Sequence, residues 1–214
     1  MGKLINGPQG QVIGLVGNTI SYMLNKQNVA RIKSSRIISL KNLSPLQQAN
    51  CQKLSVISSF LNDILPLLKA GFANKALGTT KNYHNIAVSY NILNALKGDF
   101  PYLEIEYSKI TISAGELPMP HSATAIMADS GLEISWLYTH SDDGSCDNDQ
   151  TIILLHLPDI EESISIVYGV ERRMKKQFIE LPEEYLGARI ECYLSFVSAD
   201  RKLVSTSKYL GRLN

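Results

Sequence analysis

The stretch Arg189-Ile190-Glu191-Cys192-Tyr193-Leu194-Ser195-Phe196-Val197 decides how the rest of the chain reads. Cys192, Leu194 and Phe196 alternate with Tyr193, Ser195 and Val197, so both sets of side chains are largely apolar. Successive side chains of a strand point to opposite faces, and a strand with one face in water alternates between apolar and polar residues. This stretch therefore predicts a central strand, or one covered by a helical layer supplied by the first half of the chain.

Similar short runs precede and follow it. The ranges 123–128 and 132–138 flank the turn Asp129-Ser130-Gly131; then come 151–157, 163–170 and 176–181. Ala199-Asp200-Arg201-Lys202 turns the chain into a last strand at 203–209. Seven strands at this spacing predict an antiparallel, immunoglobulin- or fibronectin-like β-sandwich over 119–214. Trp136 is its expected core aromatic, and Leu181-Pro182-x-x-Tyr185 is similar to the tyrosine corner of such folds.

Toward the N-terminus the period changes. Ser44-Pro45-Leu46-Gln47 is a helix start: Ser44 caps, Pro45 suits the first turn and Gln47 completes a capping box. Leu54, Ile57, Leu61, Ile64, Leu65 and Leu68 follow at helical spacing, and Pro66 kinks or restarts the helix. A second helix is expected from Tyr83 to Lys97, stopped by Gly98, with Ile86, Val88, Tyr90, Leu93 and Leu96 as its apolar set. Before the helices, Gly7, Gly10, Gly14 and Gly17 punctuate a strand with bulges that returns at Val29–Ile32 as a β-ribbon. A strand at 102–113, where Leu103, Ile105 and Tyr107 alternate with Glu104 and Glu106, joins the halves. The expected class is thus α+β: ribbon and helical hairpin over 1–99, strand and linker over 100–118, sandwich over 119–214.

The 214 residues are 44% hydrophobic and 19% charged, with net charge +1, so wholesale disorder is excluded. That charge hides a split. Residues 1–100 hold nine Lys and two Arg against Asp63 and Asp99, a net +9, and residues 101–214 carry net −8. Such a dipole suits head-to-tail attraction between copies. The cations are scattered, so a nucleic-acid footprint is weak. No run of ~18 apolar residues predicts a membrane span. MGKLINGPQG lacks the apolar core of a secretory signal, so the expected location is the cytoplasm or export by another route. Cys51, Cys146 and Cys192 are far apart and odd in number, against a disulfide framework; Cys51 and Cys192 read as buried and Cys146 as a loop residue.

No catalytic, cofactor-binding or metal-ligating set emerges. His84, His121, His140 and His156 sit in no nucleophile motif, and HExxH is absent. The loop Asp142-Asp143-Gly144-Ser145-Cys146-Asp147-Asn148-Asp149 is dense in calcium-type oxygen ligands, but without EF-hand spacing it reads as a solvated turn. Arg172-Arg173 with Lys175-Lys176 reads as a charged edge that discourages aggregation. Glu161-Glu162 and Glu183-Glu184 fall on turns, with no visible convergence on a cleft. Gly7-x-x-Gly10-x-x-x-Gly14 is not a phosphate loop.

An ordered series of small motifs runs through the chain. It begins with Met1-Gly2-Lys3-Leu4, Gly7-Pro8-x-Gly10, Gly14-x-Val16-Gly17, Arg31 and Ser44-Pro45-x-Gln47. It continues with Phe60-Leu61, Pro66-Leu67, Gly71-Phe72, Asn85-x-Ala87-Val88-Ser89-Tyr90-Asn91 and Tyr107-Ser108-Lys109. It ends with Gly115-x-Leu117-Pro118, Trp136, Tyr193-Leu194-x-Phe196-Val197-Ser198 and Tyr209-Leu210-Gly211. On these residues the chain resembles an uncharacterised Bacteroidota domain-of-unknown-function family, from which it departs at Leu15 and at Ser21-Tyr22-Met23. The resemblance implies a bacterial origin and a two-part layout, and transfers no activity.

The expected function is a non-enzymatic structural or assembly protein, a homo-oligomer joined through the ribbon and the opposite charges of its halves. The alternative is a binding module whose sandwich loops recognise a glycan or protein, with Tyr138, Tyr168 and Tyr185 as candidate contacts.

Overall fold

The computed structural model describes residues 2–3, 12–24, 27–34, 43–120, 122–139 and 145–214. In chain order the elements are β1 (Gly2–Lys3), β2 (Gly14–Val16), β3 (Thr19–Leu24), β4 (Gln27–Ile32), α1 (Pro45–Asn62), α2 (Leu65–Ala76) and α3 (Tyr83–Asn94). Then come β5 (Leu96–Lys97), β6 (Glu104–Ile105), β7 (Ala123–Ala128), β8 (Gly131–Trp136), β9 (Gln150–Leu157), β10 (Glu162–Glu171), β11 (Lys176–Glu180), β12 (Ile190–Val197) and β13 (Lys208–Leu213). The class is mixed α+β, with antiparallel sheets of order β1-β4-β3-β2, β10-β9-β12-β13, β11-β8-β7 and β5-β6.

Strand β12 is central and buried throughout. Cys192, Leu194 and Phe196 join Leu132, Ile134, Trp136, Ile153, Leu155 and Ile179 in a core shared by the two larger C-terminal sheets. Trp136 meets Phe196 edge-on at 5.3 Å between ring centroids. On the other side, Tyr193 and Val197 join Ile57, Leu61, Leu68, Phe72 and Val88 of the three helices. The helices cover this sheet because an apolar stripe must bury itself against another element.

The capping box at Ser44 and Gln47 forms as its sequence demands. The helical hairpin is three helices rather than two. α1 ends at Asn62, the axis bends by 108°, and Pro66 sits in the first turn of α2, where its missing N–H costs nothing. The bent pair reaches the length and apolarity of a membrane span, whereas no single helix among the described residues does. α3 stops at Asn94, not Lys97, because Leu96 and Lys97 pair with Ile105 and Glu104. Gly98 therefore turns this small hairpin, at φ +81°, rather than ending the helix. Of its expected apolar set Val88 is buried and Ile86 and Leu96 pack against the helical core, whereas Tyr90 and Leu93 face solvent; α3 also buries Ala87 and Asn91.

Asn91 explains that choice of face. Its amide donates to the carbonyls of Ala87 and Thr111, and its Oδ1 accepts from Thr111 N–H at 2.8 Å. Segment 102–113 is correspondingly not the expected strand. Beyond β6 and a 3-10 turn at Tyr107–Lys109, residues 110–114 form no strand and bend at Ile112, with Ile110, Ile112 and Ala114 in the helical core. Side chains replace ladder partners along this segment: Asn91 serves Thr111, and Ser207 Oγ accepts from Ile112 N–H at 3.0 Å. Likewise the last strand is Lys208–Leu213 rather than 203–209; Val204 makes only an isolated bridge to Val197.

The ribbon is a four-stranded sheet, more than the predicted hairpin. The glycine-punctuated first strand is broken at Gly17-Asn18, a two-residue turn with Gly17 at φ +57°, the conformation a tight hairpin needs at its first central position. Cys192 is buried as expected, whereas Cys51 lies exposed on α1 and Cys146 exposed in its loop.

Gly71 marks the closest approach of α2 to segment 110–114. A Cβ there would lie 2.4 Å from Ile112 O, so any side chain must push helix and segment apart. Gly71→Ala is expected to lower stability by about 1–3 kcal/mol, measured by urea unfolding. An unchanged midpoint would show that the helical layer yields freely.

Candidate functional site

Two places carry functional potential. The first is the ribbon. Its base is held: Ser21, Asn28 and Val29 are buried, and Gln27 Nε2 donates to Gly78 O at 2.9 Å. Its far end projects. Ile13, Leu15, Val16 and Ile32 are 69%, 57%, 63% and 78% exposed, with Arg31 and Lys33 beside them, also exposed. Among the described residues β2 is one of the two outer strands of this sheet, with β1, and reads Gly-Leu-Val, without charge or proline. The glycines Gly7 and Gly10 lie outside the described residues.

The second is a groove where the helical layer meets the end of the central sheet. One rung places Ser163, His156, Glu191 and Arg212 side by side on β10, β9, β12 and β13. His156 Nδ1 and Ser163 Oγ are 2.9 Å apart. The His156 ring packs against Phe60 at 4.8 Å and Tyr107 at 5.2 Å. Tyr193 Oη holds Tyr107 by donating to its carbonyl at 2.7 Å. Glu191, fully buried, accepts from Arg212 Nε at 2.9 Å and from the Tyr209 hydroxyl. Above this floor opens a groove of about 540 Å³ lined by Tyr107, Arg189, Glu191, Tyr209 and Arg212. A second cavity of about 190 Å³ shares Val56, Ile105 and Tyr107 with it and is lined also by His156 and Asp63.

Burial sets the electrostatics. It holds the His156 imidazole below its usual value of 6.5, against the pull of Glu191 and Asp63, so the ring is neutral near pH 7. Burial together with the Glu191 carboxylate pushes the Tyr209 phenol up to about 12, and burial pushes the Cys192 thiol up to about 12. Glu191 is committed to Arg212 and Tyr209, and no hydrogen bond joins it to His156 among the described residues. His156 and the Ser163 hydroxyl therefore stand within hydrogen-bond reach of each other, while the carboxylate beside them is held by Arg212 and Tyr209 instead of by the imidazole.

At the opposite end of the sheets, Arg172 corrects the charged-edge reading of Arg172-Arg173. It is buried, with Nε 3.1 Å from Asp149 Oδ2. Its guanidinium lies 4.2 Å from the Phe196 ring centroid and donates to Pro118 O at 2.9 Å. Its own carbonyl accepts from Trp136 Nε1 at 2.8 Å. Arg173 is the exposed member, paired with Glu171. Of the acidic loop, Asp149 belongs to this ion pair and Asp147 accepts from Tyr138 Oη at 2.8 Å; 140–144, with His140, and His121 lie outside the described residues. Among the described residues no three His, Cys, Asp or Glu side chains come together as metal ligands. His156 lies near the end of β9 whereas Asp147 precedes its start, and His84 is in the first turn of α3.

The three candidate tyrosines do not converge. Tyr138 is buried. Tyr168, at φ +66°, is exposed under the Arg201 guanidinium at 3.2 Å. Tyr185 donates to the Glu162 carboxylate near the start of β10, not to upstream backbone as a tyrosine corner requires. The groove residues Tyr107, Arg189, Glu191, Tyr209 and Arg212 escaped sequence reasoning as a set. The available signal was Glu191 itself, a lone carboxylate in a strand apolar on both faces.

Fold and sites together define a mixed α+β protein with a helical layer over antiparallel sheets and a projecting ribbon. Residues 5–211 match the family model described as "Family of unknown function (DUF6266)", and the chain belongs to that family. No curated protein and no solved structure matches it.

Two outcomes are expected. Asp149→Ala leaves a buried guanidinium without its counter-charge and should cost about 3–5 kcal/mol; a loss below ~1 kcal/mol in urea unfolding contradicts the pair's burial. His156 titrates below its unfolded value of about 6.5, so its contribution is complete above that pH and is lost as pH falls below it. Melting temperature should therefore drop on acidification from about pH 7 to 5, with a shallower drop in His156→Gln. Parallel pH profiles for the two proteins would remove His156 as the cause.

Proposed function

We propose that this chain is a non-enzymatic assembly protein that joins copies of itself through the projecting ribbon. The observation that carries the reading is the exposed apolar far end of the ribbon around the outer strand β2. Monomeric proteins blunt sheet edges with charges, prolines or bulges. The edge strand β10 has such devices: Glu162 and Glu171 at its ends and a register shift between Val167 and Glu171. β2 has neither charge nor proline, and a strand from a second copy adding to it would satisfy its outward backbone groups. Opposite net charges, +9 over residues 1–100 and −8 over 101–214, add attraction between the basic end of one copy and the acidic end of the next. A contact of that heterologous kind extends into rings or filaments.

Within this reading the C-terminal half is an immunoglobulin- or fibronectin-like sandwich. Support comes from the strand order: β7, β8 and β11 share one sheet, β9, β10, β12 and β13 the other, with Trp136 in the core between them. The family resemblance of the sequence supports a bacterial, Bacteroidota origin.

Size-exclusion chromatography with light scattering tests the assembly. The wild type should run heavier than its 23.7 kDa chain at low ionic strength and shed mass as salt shortens the Debye length to about 3 Å at 1 M. Leu15→Lys with Val16→Lys should yield a monomer of unchanged melting temperature. A wild type that stays monomeric at high protein concentration and low salt refutes the proposal.

A further inference from the structure

The groove above Glu191 has a combination of features that packing alone does not explain. It spans about 540 Å³, within the ~300–1,000 Å³ of small-molecule sites. Its charged lining residues are Lys97, Glu104, Glu106, Arg189, Glu191 and Arg212, three cations and three carboxylates. Each is already paired: Lys97 with Glu104 at 3.1 Å, Glu106 with Lys109 at 2.9 Å, Arg189 with Asp159 at 3.1 Å and Arg212 with Glu191 at 2.9 Å. An ionic ligand would meet charges that already hold a counter-charge. An uncharged one meets them as fixed donors and acceptors.

One donor is left over. Arg189 Nε is buried and has no hydrogen-bond partner among the described residues, and a buried polar group without a partner costs about 1–3 kcal/mol. The Arg189 side chain as a whole is 35% exposed and lines the groove. Arg212 gives only its Nε to Glu191, leaving its terminal nitrogens as further donors, and Ser108 adds an exposed hydroxyl. Tyr107 and Tyr209 also line the groove, each a rigid surface with an apolar body and a polar tip. Both are anchored, Tyr107 through Tyr193 and Tyr209 through Glu191. Paired charges of zero net sign, spare donors, carboxylate acceptors and two held aromatic rings are the complement of a ligand with many hydroxyls, an apolar C–H face and no charge.

We infer that the groove between the Tyr107 turn and the start of β12 binds a neutral saccharide, with Arg189, Arg212 and Ser108 as hydrogen-bonding residues and Tyr107 and Tyr209 as stacking surfaces. The site is distinct from the ribbon and from the sandwich-loop tyrosines, and does not depend on self-association.

Saturation-transfer NMR and calorimetry on the full chain test it. The probes are methyl β-glucoside, methyl β-galactoside, methyl α-mannoside, cellobiose and lactose, with sodium glucuronate as the anionic counterpart. At least one neutral sugar should bind saturably at millimolar concentration. Arg189→Ala should weaken it at least about tenfold (1.4 kcal/mol), and Ser108→Trp, an exposed position whose new ring fills the groove, should abolish it with the melting temperature unchanged. Leu15→Lys with Val16→Lys should bind sugar like the wild type, so the site and the assembly stand or fall separately. Three results overturn the inference: no transfer from any neutral sugar at about 10 mM, binding that survives Ser108→Trp, or binding of glucuronate alone. If one variant unfolds, the other decides.

Discussion

Strand β12 is buried on both faces, and the remaining architecture follows from covering it. One face needs a second sheet, which β8 and β11 supply with Leu132, Ile134, Trp136 and Ile179. The other needs a layer that cannot be a sheet, because those strands are already used, and α1, α2 and α3 supply it. At about 25 cal/mol per Å² of apolar surface, side chains such as Tyr193, Leu194 and Phe196, none of them exposed, reward both coverings. The two cores are therefore built on one strand, and neither layer can leave without exposing it.

Polar groups decide the register of these layers. Ser113, Ser195 and Ser205 form a buried cluster, with Ser113 Oγ 2.6 Å from Ser195 Oγ and Ser205 Oγ accepting from Phe196 N–H at 2.8 Å. Asn91 ties α3 to Thr111, and Arg172 ties the 3-10 turn at Arg172–Met174 to Asp149 and to Phe196. Apolar contacts tolerate sliding; buried hydrogen bonds do not, since an unmade one is expensive. The same economy leaves the groove near Glu191 lined with fixed polar groups, so one strand serves as core and as floor of a candidate binding site. The ribbon, anchored at its base and apolar at its far end, stands outside both cores.

Much of this was legible residue by residue. The double-apolar pattern of 190–197, the capping box at Ser44, the turn at Asp129-Ser130-Gly131 and Trp136 as a core aromatic follow from local rules. The misread elements share a cause. Segment 110–114 alternates like a strand, yet its backbone is satisfied by Asn91 and Ser207, partners distant in sequence. Leu93 and Tyr90 look like an inward stripe, yet α3 turns its Asn91 face inward because Thr111 needs a partner. Arg172 looks like a surface charge, and only Asp149, buried beside it, makes its burial tolerable.

By itself the sequence determined the class, the positions of most strands and helices, the central role of 190–197 and the charge division between the halves, because periodicity, capping and turn chemistry act over a few residues. The tertiary structure decided which polar side chains go inside, that 63–64 bends by 108°, that the ribbon has four strands, and that Tyr107, Arg189, Glu191, Tyr209 and Arg212 share one groove. These depend on residues up to about a hundred positions apart being brought within 3 Å, and no local pattern encodes which of them meet.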